Sequence, residues 1–303
     1  MMDYAGLSAV AAVAQEGSFE KAAKLLRITP SAVSQRVKLL EERIGTVLIV
    51  RGQPCRATPQ GELICRHIEQ VRLLEDSLSQ RLPTMLGSND RDGHLTLPVA
   101  VNADSLATWF LDATTEFSKR TGYLLNLFID DQEHTAEWLR MGRVVGVVTA
   151  HDRPVQGCKS LYLGSMRYHA AASPAFIKRY FPDGLNASAL SLAPAFLFDR
   201  KDRLQEQWIH KITGRSLNFP VHWIPSTQGF IDAGIKGLGW GVSPIHLLQS
   251  HFDSGALVDL CPGQFIDVPL FWQINGIAAH QLADLTNCIV TTARAWLDTG
   301  VNS

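Results

Sequence analysis

Residues 17–51 read GSFEKAAKLLRITPSAVSQRVKLLEERIGTVLIVR, and this stretch decides how the amino-terminal part of the chain folds. Gly17 ends a preceding segment in which Leu7, Val10, Ala11 and Ala14 recur at helical spacing. Ser18 is an N-cap residue type, and Glu20 falls in the first turn of the helix it opens, where a carboxylate meets unpaired backbone N–H groups. Ala22, Ala23, Leu25 and Leu26 follow, and Ile28-Thr29 forms a short turn. Thr29-Pro30 is a second start signal, a hydroxyl at N-cap and proline at the first helical position. The helix it opens sets Val33, Val37, Leu40 and Ile44 on one stripe before Gly45 stops it. TVLIVRG and RAT flank a tip made of QPC, which predicts a β-hairpin. Three short helices with a tight turn between the second and third, then a hairpin, predict a winged helix-turn-helix over residues 1–58.

The outward face of the third helix carries Ser31, Ser34, Gln35, Arg36 and Lys38. Hydroxyls, an amide and cations are the groups that contact phosphates and base edges in the major groove. A merely solvated helix face has a similar composition; the turn, the hairpin and the local charge decide for DNA. Gln35 is the candidate for base readout, because glutamine pairs bidentately with adenine. Ser31, Ser34, Arg36, Lys38 and Arg51 of the hairpin are expected mostly on the phosphate backbone, with Ser18 and Thr29 beside them at the two helix starts.

Charge divides along the chain. The formal net charge of the 303 residues is −1, which on its own argues against a nucleic-acid partner. Residues 1–58 hold eight bases against five acids, a balance of +3, so the remainder carries −4. The whole-chain sum therefore conceals a basic head on an acidic body. No apolar run approaches the ~18 residues of a membrane span, and no base precedes Lys21 to form a signal-peptide n-region. The expected location is the cytoplasm, with no membrane partner. Cys55, Cys65, Cys158, Cys261 and Cys288 are odd in number and none are paired as C-x-x-C, so neither a disulfide framework nor a zinc site is expected. His246 and His251 lie on different faces of any helix, and no metal is assigned.

Thr58-Pro59-x-Gly61 opens a further helix, expected to run to about Leu82. Ile64, Ile68, Val71, Leu78 and Leu82 approximate a heptad seam, which reads as a linker and dimerisation helix over residues 59–87 rather than a helix packed only on its own domain. From His94 the pattern changes to strands alternating with helices, an α/β body over 88–303 with largely parallel sheets and two lobes around a cleft. The expected lobes are about 93–163 with 269–303, and about 164–268. Predicted strands include 94–101, 123–130, 144–150, 161–164, 166–172, 194–199, 222–226, 238–244 and 269–275; predicted helices include 105–121, 135–141, 202–213, 227–235 and 280–298. Gly234-x-x-Gly237-x-Gly239-x-Gly241 resembles a dinucleotide loop only superficially, because a helix precedes the glycines; Gly237 reads as a helix C-cap and the others as close packing. Trp109 and Phe128 read as core rather than as ligand platforms.

The opening stretch resembles the DNA-binding signature of LysR-type transcriptional regulators. Ala22, Leu25 or Leu26, Ser31-Ala32-Val33-Ser34, Leu40-Glu41, Gly45, Leu48 and Arg51 carry the match, and Thr58-Pro59-x-Gly61 matches the start of that family's linker helix. Ile49, where most members have Phe, and the lengthened RGQPCRATP wing depart from it. Ala100–Ala113, Leu125–Thr149 and Lys178–Gly184 are similar to the ArgP/LysG branch, regulators of basic amino-acid export and metabolism, whose wing also lacks the Phe. The resemblance implies a winged helix domain, a linker helix and a two-lobed effector domain like a type II periplasmic binding protein. It also implies a homodimer or homotetramer on double-stranded DNA, no enzymatic activity and no cofactor beyond a small-molecule effector, lysine or arginine.

A basic amino acid presents a carboxylate, an α-ammonium and a terminal cation, so its site needs hydroxyl or backbone donors for the first and acids for the others. Asn102, Asp104 and Ser105 lie where a strand passes into a helix, and Asp104 is equally suited to capping that helix. Asp130 and Asp131 end the next strand at its carboxyl edge, beyond which ligands bind in open α/β sheets. Asp199 closes a strand of the other lobe, and Ser226 and Thr227 start a helix facing the cleft. Two other readings compete: an effector-independent architectural DNA-binding protein, and a LysR-type regulator sensing another small metabolite. An enzyme on the α/β body has no GxSxG, HExxH or P-loop to support it.

Overall fold

The computed structural model describes residues 3–81, 95–129, 138–139, 143–276, 279 and 281–298. Helix α1 (Tyr4–Glu16) starts at Asp3, whose carboxylate accepts the Gly6 N–H at 3.0 Å, and stops at Gly17 with φ 66°. α2 (Phe19–Leu25) and α3 (Pro30–Ile44) begin at Ser18 and Thr29 as expected; each hydroxyl accepts a backbone N–H three residues on. Val33, Val37 and Leu40 bury the inner stripe of α3, but Ile44 in its last turn is 48% exposed and is not core. The wing is a pair of two-residue strands, β1 (Ile49–Val50) and β2 (Arg56–Ala57), joined antiparallel. Glu41 of α3 fixes the wing by accepting the Leu48 and Ile49 N–H groups at 2.8 and 3.1 Å.

α4 (Pro59–Arg81) follows the wing. Its backbone at Gly61 passes so near the Leu48 carbonyl that a Cβ there would overlap the oxygen, which accounts for glycine at this position. Ile68 is buried in the amino-terminal core and Ile64 packs against that core. The front of the expected self-pairing seam is therefore occupied by the chain's own domain, while Leu63 and Leu74 are exposed. The reason is geometric: a seam with a 3.5-residue repeat drifts around a straight helix, so its two ends need not face one partner.

The body is built on one mixed sheet. Parallel strands β3 (Thr96–Val101), β4 (Leu124–Ile129) and β5 (Gly146–Thr149) join in the order β5-β3-β4. Between β3 and β4 the expected single helix is two, α5 (Ala103–Ala107) and α6 (Phe110–Thr121), broken at Thr108, whose hydroxyl turns back to the Asp104 carbonyl at 2.7 Å. The predicted helix 135–141 lies, apart from Trp138 and Leu139, outside the described residues.

The two strands expected at 161–164 and 166–172 are one, β6 (Cys158–Ala172), with Gly164 at φ 134° inside it. α7 (Pro174–Tyr180), α8 (Ala187–Leu192), β7 (Ala195–Leu197), α9 (Leu204–Thr213), β8 (Val221–Trp223), α10 (Thr227–Ile235) and β9 (Gly241–Pro244) follow. Next come α11 (Ile245–Asp253), β10 (Val258–Asp259), β11 (Phe265–Asn275) and α12 (Ala283–Trp296). α7, α8, α11 and β10 were not anticipated.

Largely parallel sheets were expected, but β11 pairs antiparallel with both β5 and β6, and β6 antiparallel with β9 and β10. Strand direction is set by where the chain returns, which local periodicity does not encode. β6 and β11 run alongside each other for most of their length, and their register shifts between Leu270 and Phe271, next to Gly164. A Cβ on Gly164 would sit 2.7 Å from Leu297 Cβ, so Leu297 packs directly on this crossing. Trp109, Trp208, Trp240 and Trp272 are fully buried in the body's core. Phe128 packs edge-on to Trp138 at 5.2 Å, again a core contact. Gly237 takes φ 75° just past the C-cap of α10, and Gly239 and Gly241 lie against the Phe196 ring, the close packing expected of them. Among the described residues no helix is long and apolar enough to cross a membrane.

Candidate nucleic-acid interface and effector cleft

On α3, Ser31, Gln35 and Lys38 are exposed, and Ser34 and Arg36 are half-buried beside them. Lys38 has only an exposed contact to Glu42 at 3.6 Å, which leaves its charge available. Gln35 is one turn after Ser31 on the same face. Arg51 on the wing lies 5.2 Å from the centre of the Phe19 ring. The wing tip is tied back by the Cys55 N–H, which donates to the Gly17 carbonyl at 2.8 Å. Ser18 donates to Glu20 at 2.6 Å, and this bond, with a backbone contribution, holds the Glu20 carboxyl below its usual range. Ser18 and Thr29 are thus occupied as helix caps, and their position at the two helix starts is what they offer to a phosphate.

The body contains a cavity of about 510 Å³ whose wall includes Asn102, Asp104, Asp199, Asp202, Tyr168 and Thr227. Asp104 is the acid on its wall that joins the most distant elements. It lies in the first turn of α5, directly after β3, and one carboxylate oxygen accepts the Tyr168 hydroxyl at 2.8 Å. The other accepts the Thr227 hydroxyl at 2.7 Å. Tyr168 stands on β6 and Thr227 at the start of α10, so one carboxylate ties together three elements distant in sequence. Burial pushes the Asp104 carboxyl above its ordinary range, against the two hydroxyls, which lower it. Burial, then the neighbouring Asp104, pushes the Tyr168 phenol far up, so it stays a proton donor.

Asp202 was not anticipated. It was read as the start of a helix, but it sits two residues before α9 and accepts the Phe198 and Leu204 N–H groups, both at 3.0 Å. Burial raises its carboxyl, the two N–H groups lower it, and the charges of Asp104 and Asp199 raise it further. The charge of Asp104 therefore disfavours the ionisation of Asp202, and neither acid has a cationic partner among the described residues. Two half-buried acids in one cavity favour a cation between them. Asp267, also on the wall, is already neutralised by a bidentate bond from Arg167, 2.9 Å to each oxygen. Lys201 and Arg203 bring positive charge to the same wall, with Arg203 held to Glu206 at 2.7 Å.

The other expected residues divide. Asn102 lines the cavity and its side-chain oxygen is buried without a partner among the described residues. Asp199 lines it too, but its carboxylate accepts the Lys201 and Asp202 N–H groups. Ser105 is fully buried and is not on the wall. Ser226 is exposed, caps α10 through the Gly229 N–H at 3.0 Å, and is also off the wall. Asp130 and Asp131 lie outside the described residues. Tyr168 was missed because its partner lies 64 residues away; a tyrosine in an apolar strand carries no local mark of such a bond.

Residues 5–62 match the family model described as "Bacterial regulatory helix-turn-helix protein, lysR family". The HTH-type transcriptional regulator ArgP of Pseudomonas fluorescens (strain Pf0-1) is 42% identical over 298 residues, 98% of this chain and 99% of that protein. The crystal structure of ArgP from Mycobacterium tuberculosis is 39% identical, with a TM-score of 0.84 over 99% of this chain and 100% of that one. Full-length LysG from Corynebacterium glutamicum, solved with bound effector Arg, is 35% identical, with a TM-score of 0.74 over 98% of this chain and 100% of that one.

Proposed function

The chain belongs to the LysR-type transcriptional regulators, of the ArgP/LysG type, and from that premise we propose that it binds lysine or arginine in the 510 Å³ cavity and adjusts the transcription of amino-acid export or metabolism genes. Its relatives are regulators, so the α/β body is a sensor and not a catalytic domain.

The observation that carries the proposal is Asp104, a carboxylate of raised pKa held by two neutral hydroxyls and facing a cavity with a second unpaired acid. A ligand ammonium supplies the positive charge that both acids lack. In this reading Asp104 takes the α-ammonium and Asp202 the terminal cation. Asn102 and Thr227 contribute polar contacts, and the carboxylate lies toward Lys201 and Arg203. Asp199 on the wall remains a candidate, and so do Asp130 and Asp131, which lie outside the described residues. The arginine in the Corynebacterium glutamicum LysG structure supports this choice of ligand.

At the other end of the chain α3 enters the major groove, with Gln35 on base edges and Ser18, Thr29, Ser31, Ser34, Arg36, Lys38 and Arg51 on the backbone. The working unit is a homodimer or homotetramer in the cytoplasm, paired through α4. The domain limits that go with this reading are 1–58, 59–87 and 88–303. Footprinting on the DNA upstream of its own gene, with and without lysine and arginine, tests the whole reading. Protection whose length or hypersensitive sites change with either amino acid is expected. Protection unaffected by both, together with no thermal stabilisation by either, refutes the sensing half.

A further inference from the structure

We propose that an ion pair between Glu62 of α4 and Arg143, just before β5, is the strut that anchors the effector domain to the DNA-reading domain of the same chain. Arg143 Nη2 lies 3.2 Å from Glu62 Oε1, and the glutamate is only 15% exposed although it is on a helix surface. Charge effects reach the same region. The Cys65 thiol, one turn along α4, is pushed up to about 11, first by burial and then by Glu69 and Glu62, while Arg143 opposes them. Arg66 acts on Cys158, the first residue of β6, and its Nε is buried with no partner among the described residues. Glu62, Cys65, Arg66 and Glu69 recur at helical spacing, so the group that meets Arg143 and the one whose charge acts on Cys158 share one face of α4.

Those two strands lead to the cavity. β5 ends at Thr149, and Ala150 and His151, which follow, stand on its wall; β6 carries Tyr168, which holds Asp104. The end of β5 near Arg143 is thus anchored to α4 and the other end meets the ligand. Anchoring the lobe of β5, about 93–163 with 269–303, has a mechanical consequence. Closure around a ligand then moves the other lobe, about 164–268, relative to the DNA-reading domain. Without the anchor, closure is not delivered to the DNA through this contact. A ligand shifts such an equilibrium only through its different affinity for the two arrangements, so the strut transmits the response and does not create it.

This inference rests on the sensing role proposed above for the cavity, and its test separates the two. Full-length wild type, Glu62→Gln, Arg143→Gln and the swap Glu62→Arg with Arg143→Glu are compared on duplex DNA from upstream of the gene. DNA bend is read by end-to-end energy transfer, and arginine binding by calorimetry. Both single variants are expected to bind arginine within about twofold of wild type and to lose about two thirds or more of the arginine-induced change in bend, with the swap restoring it. Single variants that keep the full change overturn the strut. A wild type that binds neither arginine nor lysine overturns the sensing role instead. The ligand-free bend then decides the strut: an altered bend in Arg143→Gln, restored by the swap, supports it, and an unaltered one overturns it.

Discussion

Asp104→Asn removes a charge and almost no shape. The Tyr168 hydroxyl still finds an oxygen to donate to, and the new amide N–H₂ can donate to the Thr227 hydroxyl, so the contacts at 2.8 and 2.7 Å have replacements. What is lost is the carboxylate's hold on a ligand cation. Hydrogen bonds to charged groups contribute about 1.5–3 kcal/mol, and removing one partner of a desolvated charge pair costs about 2–5 kcal/mol. The overlap is about 2–3 kcal/mol, which at ~1.4 kcal/mol per decade is a ~30- to ~150-fold loss of arginine affinity by calorimetry. Ligand-free stability should move the other way. Because burial raises the folded-state pKa of Asp104 above its unfolded value, the folded form favours the protonated acid. This group's contribution is therefore greatest below the unfolded pKa of about 3.9, and declines as pH rises to the folded pKa. At pH 7 the asparagine variant escapes that cost, so its unfolding midpoint equals or exceeds that of wild type, and the gap closes toward pH 4. Wild-type arginine affinity falls as pH drops through the raised pKa, and that of the variant does not show this fall. Wild-type affinity in the variant, or a marked loss of ligand-free stability at pH 7, would refute the assignment and leave Asp104 as a structural tie.

Glu41→Ala leaves the Leu48 and Ile49 N–H groups without their acceptor; a loss of about 1–3 kcal/mol in denaturant unfolding is expected, with weaker DNA binding as the wing loosens. Gln35→Ala should flatten discrimination between operator variants at one base pair by about 1–3 kcal/mol, whereas Arg36→Ala should weaken all sequences alike and lower the salt dependence of binding by about one phosphate contact. Competition binding at several salt concentrations separates these two outcomes, and a uniform loss in Gln35→Ala would remove it from base readout.

The parts of the fold that were legible are those whose signals are local. Ser18, Thr29-Pro30, Gly17 and Gly45 mark helix ends within a few residues, and the helices start and stop there. α7 offered the same kind of mark, Ser173-Pro174, with the Ser173 hydroxyl accepting the Phe176 N–H, and was overlooked. Strand direction was not legible, because β11 returns antiparallel beside β5 and β6 after a long excursion of the chain. In the cavity, Asp104 and Thr227 were accessible because they sit at element ends, where α/β folds gather their ligands. Tyr168 and Asp202 were not, since their roles depend on burial and on partners brought in from elsewhere. Ser105 failed because helical rotation turns it into the core one residue after Asp104.

The geometry around Asp104 also constrains how a ligand works. Its carboxylate joins α5 to Tyr168 and Thr227. That cross-element tie is made by the chain's own groups, and the cost of keeping a carboxylate buried near Asp202 opposes it. In the proposed function a cationic effector meets this carboxylate. By offsetting that charge it removes the penalty on an arrangement the chain can already adopt, which is a shift of population. Neutralising Asp104 by substitution should have the same effect from within. Ligand-free Asp104→Asn is thus expected to bend operator DNA as arginine-bound wild type does, although it binds arginine poorly. The two properties are measured separately, by energy transfer on the DNA and by calorimetry. A variant that is weak in binding yet bends DNA like ligand-free wild type would show that the effector acts through contacts of its own, and not by relieving the charge on Asp104.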